Sequence, residues 1–351
     1  MQEKAISMKK NSLYALTLAL LAFTSLALTV TVRADSAVSV YLMDPYSQVN
    51  GNKGLSLSGY WVGEIPIIIT SGSGSPYQTV SYCMNFDRNI YVGSTYTATV
   101  ASVSDTSEWR AVSYLLTWNY PTTNSEAAAD QVAIWRLLNQ TRGTNYYKEA
   151  WLDQNVDDAG NAVATEAYGK DVVRQDDQFH WVSPISTNTS SIQANAGQTV
   201  TFTAQLTSAT GTPRPNVRVL FNATLALGSQ TQLLNSTYVT PQSAFTDTQG
   251  LAQVSVKVPS DTQLGATIAV EASTKSLWPQ RYLDLTDPTT QDLLGIGNTY
   301  QLTLSTRVSV LGFIQVLPES SIGPLAAFGA VIGGFAVWRK YKQPKKQGKT
   351  Q

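Results

Sequence analysis

The sequence predicts a mainly β protein with one helical subdomain, arranged as two regions between an N-terminal export segment and a C-terminal membrane helix. Three observations carry this reading. Apolar runs stand at both ends of the 351-residue chain. Between them, only Thr123 to Gln140 shows strong helical character, and beyond residue 183 the chain turns to Thr/Val/Ser alternation broken by turn residues. Lys+Arg 24 balances Asp+Glu 24, with 43% hydrophobic and 14% charged residues. That balance excludes a disordered polyampholyte and a protein that binds nucleic acid through bulk charge.

At the N-terminus, Lys4, Lys9 and Lys10 precede an apolar run from Leu13 to Val32, and Val32-Arg33-Ala34 stands before Asp35. This predicts a signal peptide over residues 1–34, the alternative being an uncleaved anchor, since the run is long enough to span a bilayer. At the other end, the uncharged stretch Ile322 to Trp338 is followed by Arg339, Lys340, Lys342, Lys345, Lys346 and Lys349. That order predicts a transmembrane anchor over 322–338 and a basic cytoplasmic tail over 339–351. Leu317-Pro318-Glu319-Ser320-Ser321 resembles a sortase sorting signal, with Ser320 and Ser321 where the LPxTG pattern has threonine and glycine. A retained membrane anchor is therefore expected ahead of sortase-type wall attachment.

Residues 183–315 read as an antiparallel β-sandwich. "TVTFTAQL", "VRVLFNATL", "LAQVSVKV" and "ATIAVEAST" alternate apolar and polar side chains, are rich in β-branched residues, and are separated by Gly, Pro, Asn and Asp. "TPRPNVRVLFNA" followed by "TDTQGLAQVSV" resembles bacterial invasin-type immunoglobulin-like repeats, in which an Asp and a Gly, here Asp247 and Gly250, shape the turn before a strand. The resemblance implies a stalk. Asn139, Asn188, Asn222 and Asn235 each open an N-x-Ser/Thr sequon and are candidate N-glycosylation acceptors in an exported chain.

The first region, residues 37–182, contains the only cysteine, Cys83, so a disulfide within the chain is impossible. Thr123 as N-cap with Glu126 three residues later forms a capping box for the helix that follows. On that helix Ala127, Gln131, Ile134 and Leu138 share one face, which places an amide inside an apolar stripe. Leaving such an amide unpaired costs about 1–3 kcal/mol. Taken separately, Gln131 reads as a satisfied buried glutamine and Cys83 as a small core residue.

Taken together, Tyr82-Cys83 on an apparent strand, the stretch Tyr114 to Pro121, and Gln131-Val132-Ala133-Ile134-Trp135 resemble the Cys-Gln thioester (TQXA) domains of Gram-positive surface adhesins, over about residues 60 to 180. Asp130 stands where that family often has threonine. The resemblance implies a thioester domain, a β-sandwich or barrel with helices, in which Cys83 and Gln131 condense to an internal thioester. The thiolate attacks the side-chain amide carbon, ammonia leaves, and the stored acyl group later takes an amine from a target. Tyr82, Trp118, Tyr120, Asp130 and Trp135 are expected to surround the bond and limit hydrolysis.

The whole chain is then expected to be a surface adhesin and not a turnover enzyme. It needs no cofactor or metal, binds no nucleic acid, is held in the membrane by its C-terminal helix, and captures a protein or polymer that offers amines. Two other readings come from the residues themselves: a non-reactive envelope or stalk protein in which Cys83 and Gln131 only pack, and a thiol hydrolase pairing Cys83 with His180, the only histidine, oriented by Asp176 or Asp177. No cysteine-protease signature surrounds Cys83. "DQNVDDAGN", from Asp153, echoes a calcium loop but lacks glycine at its sixth position and glutamate at its twelfth, and reads as a solvated loop.

Overall fold

The structure is a computed structural model that describes residues 37–47, 51–72, 74–85, 90–138, 153–184, 191–284, 292–297 and 299–311. The signal peptide, membrane helix and basic tail expected at 1–34, 322–338 and 339–351 lie outside the described residues. Among the described residues, no helix is long and apolar enough to cross a membrane. The chain is mainly β, with a barrel and three helices among the described residues.

The chain divides into two compact units. The first runs to Val172 and also holds Lys275–Tyr300; the second holds Val173–Thr274 and the residues from Gln301. The sequence reading sets the boundary at 182/183 and gives 183–315 to the sandwich without a break; the compact units divide at 172/173 instead, and Lys275–Tyr300 falls in the first. Gln178–Ser183 is a strand that pairs with Thr199–Thr207, and Trp181 packs edge-on to Phe202 in the sandwich core. A segment with that alternation belongs to the layer that buries its Trp.

In the first unit, β1 (Ala37–Leu42), β4 (Ile65–Thr70), β5 (Tyr77–Cys83) and β6 (Thr95–Ser102) join two late strands, Gln280–Asp284 and Leu293–Gly295, in a closed antiparallel barrel. The late strands seat against β6, with Gln280↔Ser102, and against β5, with Leu293↔Cys83. Closure removes the sheet edges that an open sheet would expose. The interior is built at period two by Val38, Val40 and Leu42, by Ile65, Ile67 and Ile69, and by Cys83, Ala98, Tyr282 and Leu293. A hairpin of β2 (Gly54–Leu57) and β3 (Tyr60–Gly63) stands beside the barrel, and at its open end Gly63 has φ 139 and faces Gly54. A Cβ at position 63 would stand 2.5 Å from Gly54 Cα, so two glycines let these strands meet.

Three helices complete this unit: α1 (Ser107–Trp118), α2 (Asn124–Leu138) and α3 (Gln154–Ala167). Of the helices that the thioester-domain resemblance implies, the residue pattern itself shows only α2. The capping box forms as read from the sequence: Glu126 N–H donates to Thr123 Oγ1 at 3.2 Å, and Thr123 N–H donates to Glu126 Oε2 at 3.0 Å. The segment read as a solvated loop is instead the start of α3, where the Asp153 carboxylate accepts from the N–H groups of Asn155 and Val156. A carboxylate there satisfies otherwise orphaned helix donors and needs no metal. Among the described residues, no cluster of His, Cys, Asp and Glu could hold a metal ion.

The second unit is a sandwich. One sheet contains Arg218–Leu227, Thr267–Leu277 and Thr299–Val310; the other contains Gln178–Ser183, Thr199–Thr207 and Leu251–Lys257. Alternate residues of both sheets, among them Phe202, Phe221, Val254 and Ile268, form its core. Asp247 and Gly250 shape the turn into Leu251–Lys257. The Asp247 carboxylate accepts from Gln249 and Leu251 N–H, while Gly250 takes φ 71. Asn222 and Asn235 are exposed on this unit; Asn139 and Asn188 lie outside the described residues.

Candidate functional site

Cys83 is the last residue of β5 and Gln131 lies two turns into α2, 48 residues away. The ladder between β4 and β5 ends at Ile65↔Ser81. Two residues further along β5, the main chain of Cys83 faces the edge that β4 has left, and the Gln131 amide fills it. Cys83 N–H donates to Gln131 Oε1 at 2.8 Å, and Gln131 Nε2–H donates to the Cys83 carbonyl at 2.7 Å. The glutamine side chain thus continues the sheet by one residue-equivalent.

Sequence places the amide there. Ala127, Ala128 and Ala129 are small and buried, which lets α2 lie close to the barrel, and Ala128, Val132 and Trp135 enter the same apolar cluster as Cys83. Gln131 and Cys83 are 1% and 6% exposed. Burial alone pushes the Cys83 thiol up to about 12. No imidazole contributes to that shift, and His180 belongs to the second unit, on the strand Gln178–Ser183.

The expected surround is only partly realised. Trp135 shares the cluster of Cys83, whereas Tyr82 and half-buried Trp118 pack in a second cluster with α1. Tyr120 is 67% exposed and shields nothing. The residues that share the Cys83 cluster are mainly aliphatic ones of the barrel, joined by Trp135 and Tyr282. The aromatic expectation is corrected in that respect.

Asp130, by contrast, is central. It is buried, its Oδ1 accepts from Asn119 Nδ2 at 2.6 Å, and its Oδ2 has no hydrogen-bond partner among the described residues. Burial raises its acid to about 8 against the lowering effect of Asn119, with Glu126 and Glu64 adding to the rise.

Glu64, unnoticed in the sequence, is buried one residue before β4. Its main chain is tied on both sides: its N–H donates to Lys53 O at 2.8 Å and its carbonyl accepts from Trp61 Nε1 at 2.8 Å. Its Oε2 accepts from Lys53 N–H at 2.8 Å, and burial raises its acid although Lys53 pulls the other way. Burial, Glu64, Asp130 and Tyr120, in that order, hold the Tyr82 phenol well above its usual range. The only trace of Glu64 in the sequence is an acid set directly before the apolar run Ile65 to Ile69.

No protein-family model and no curated protein matches the chain. Solved structures similar to it include the Bacillus anthracis TIE protein, at 13% identity and TM-score 0.30, over 78% of this chain and 49% of that one. They also include the thioester domain of the Enterococcus faecium TIE86 protein, at 13% identity and TM-score 0.28, over 78% of this chain and 94% of that one. The chain thus spans about half the length of the B. anthracis protein (49%). At such TM-scores the likeness fixes no chemistry.

Proposed function

We propose that Cys83 and Gln131 condense to an internal thioester, and that the protein is a surface adhesin that uses it to capture an amine-bearing target covalently. The observation that carries this is the two-point hold of the Gln131 amide on the main chain of Cys83. It fixes the acyl carbon beside the residue that bears the thiol, the kind of placement that gives intramolecular reactions a large effective molarity. It also puts the Cys83 N–H on Oε1, the atom on which negative charge develops when sulfur adds to the carbonyl carbon.

The steps balance without a further reagent. Sγ of Cys83 bonds to Cδ of Gln131, the Cδ–Nε2 bond breaks, and Nε2 leaves as ammonia with the thiol proton. In capture, the amine nitrogen of the target bonds to Cδ, the Sγ–Cδ bond breaks, and the sulfur leaves as the Cys83 thiol with a proton from the amine. An amide to the target remains. One bond is consumed per molecule, so the protein tethers and does not turn over. The sandwich serves as a stalk, with export and membrane anchoring supplied by the terminal segments.

Intact mass tests this. The exported protein should weigh one ammonia less than its sequence and gain one methylamine on treatment with that amine. A mass equal to the sequence, unchanged by methylamine, would falsify the reading.

A second reading is favoured by the same contacts. Both polar atoms of the Gln131 amide are already paired with backbone, so the residue is satisfied as a buried strand-capping side chain and the protein is a non-reactive envelope component. The mass measurement separates the two.

A further inference from the structure

An ammonium group stands near one acid of this site, Glu64. Lys53 Nζ lies 5.2 Å from the centroid of the exposed Tyr120 ring, and its charge is felt by the Glu64 carboxyl. Glu64 and Tyr82 each stand one residue beyond the Ile65↔Ser81 pair, where the ladder ends and the Gln131 amide enters. Asp130, adjacent to Gln131 on α2, leaves its buried Oδ2 without a hydrogen-bond partner among the described residues. The Glu64 carboxylate, an acceptor lone pair that the buried Asp130 carboxyl retains even while it keeps its proton, and an aromatic face that already carries a cation make a setting suited to –NH3+.

Resting on the thioester reading, we propose that Glu64, Asp130 and the Tyr120 ring receive the incoming nucleophile as a primary ammonium, such as a lysine side chain, and that Lys53 holds the place until it arrives. Glu64 takes one proton from the bound ammonium. The freed amine adds to Cδ of Gln131, and a second proton leaves with the Cys83 sulfur, so three N–H hydrogens become one amide N–H, one thiol and one carboxyl. Among the described residues, the charged and titratable groups around the acids are Lys53 beside the β2–β3 hairpin, Glu126 on α2, Tyr82 on β5 and Tyr120 after α1, with neutral Asn119 on Asp130. Lys53 is the one cation among them, and its displacement leaves the acids for the target. The site thereby selects cationic amines over neutral nucleophiles of similar size.

The test compares adduct formation by mass, at neutral pH, with methylamine, which is protonated, and hydroxylamine, which is not. In Glu64→Gln, which keeps an acceptor for Lys53 N–H, the methylamine-to-hydroxylamine rate ratio should fall about tenfold, the equivalent of one pKa unit of lost interaction with the protonated amine. Lys53→Met, which leaves Glu64 in place, should raise that ratio. A ratio unchanged in both variants, with adducts still forming, overturns this inference and leaves the thioester standing. A wild-type protein that adds neither nucleophile overturns both.

Discussion

The Gln131 carboxamide meets the Cys83 peptide group as a strand would, with Oε1 2.8 Å from Cys83 N and Nε2 2.7 Å from Cys83 O. The contact has two consequences that differ in kind. It stabilises the end of β5, since buried peptide groups with no partner are costly. It also presents the acyl carbon, so one arrangement serves both the folded state and the proposed reaction.

That dual role separates the two single variants. Gln131→Ala strands the N–H and C=O of Cys83 in the interior and should cost about 1–3 kcal/mol for each group that water cannot reach. Cys83→Ala keeps the amide contacts and, measured against the uncondensed protein, removes only a sulfur, so on that comparison it should cost about 1–2 kcal/mol, near the low end for a small buried truncation. Both should lose the ammonia deficit. Thermal melts in which Cys83→Ala is the more damaging would show that the amide contacts do not hold β5.

Native-state alkylation of Cys83 should be negligible whether or not the thioester exists. The residue is 6% exposed and burial pushes its thiol up to about 12, so little thiolate is present at neutral pH in either case. Alkylation after denaturation is the informative version: a thioester leaves the sulfur blocked until base or hydroxylamine frees it, and a packed thiol reacts at once. Rapid labelling of the native protein at pH 7 would contradict the burial described above.

Much of this was legible in the sequence, for reasons that can be named. The capping box at Thr123 and Glu126 uses local hydrogen bonds, so a four-residue pattern suffices. The strands of the sandwich alternate cleanly because each has one buried face. The pairing of Cys83 with Gln131 came from the resemblance to Cys-Gln thioester domains and not from periodicity. What escaped notice depends on long-range placement. Lys275–Tyr300 closes the barrel although nearly two hundred residues separate Ser102 from Gln280 in the register, and short strands such as Leu293–Gly295 carry little alternation. Glu64 gave little sign because a buried acid is defined by what surrounds it, here Lys53 and Trp61 at the hairpin.

Helix α3 packs on α2 at a glycine. A Cβ at Gly160 would stand 2.5 Å from Val132 Cγ1 and 3.0 Å from the Ala129 carbonyl. Gly160→Ala gains helix propensity, about 1 kcal/mol on an isolated helix, but overpacking costs about 1–3 kcal/mol and moves the turn that bears Gln131. A lowered melting temperature together with slower ammonia loss is expected. A stabilised protein with unchanged ammonia loss would show that the two helices tolerate a wider separation.

Asp130 gives the stability of the first unit a pH dependence with a definite sign. Its acid rises from 3.8 to about 8 on folding, mainly through burial. Between those values the folded chain keeps a proton that the unfolded chain has lost, so stability falls as pH rises from about 4 and levels off above about 8. Glu64 is shifted in the same direction and adds to the fall. Asp130→Asn keeps an oxygen for Asn119 Nδ2 and cannot ionise. Relative to the wild type it should be near neutral at pH 4 and more stable by on the order of 2 kcal/mol at pH 8, water entry around the acid trimming the full value. Chemical denaturation at the two pH values reads the difference directly. A variant equally stable at both, or less stable at pH 8, would mean that Asp130 is ionised in the fold and paired through Oδ2, which would also remove the spare acceptor assigned to the incoming ammonium.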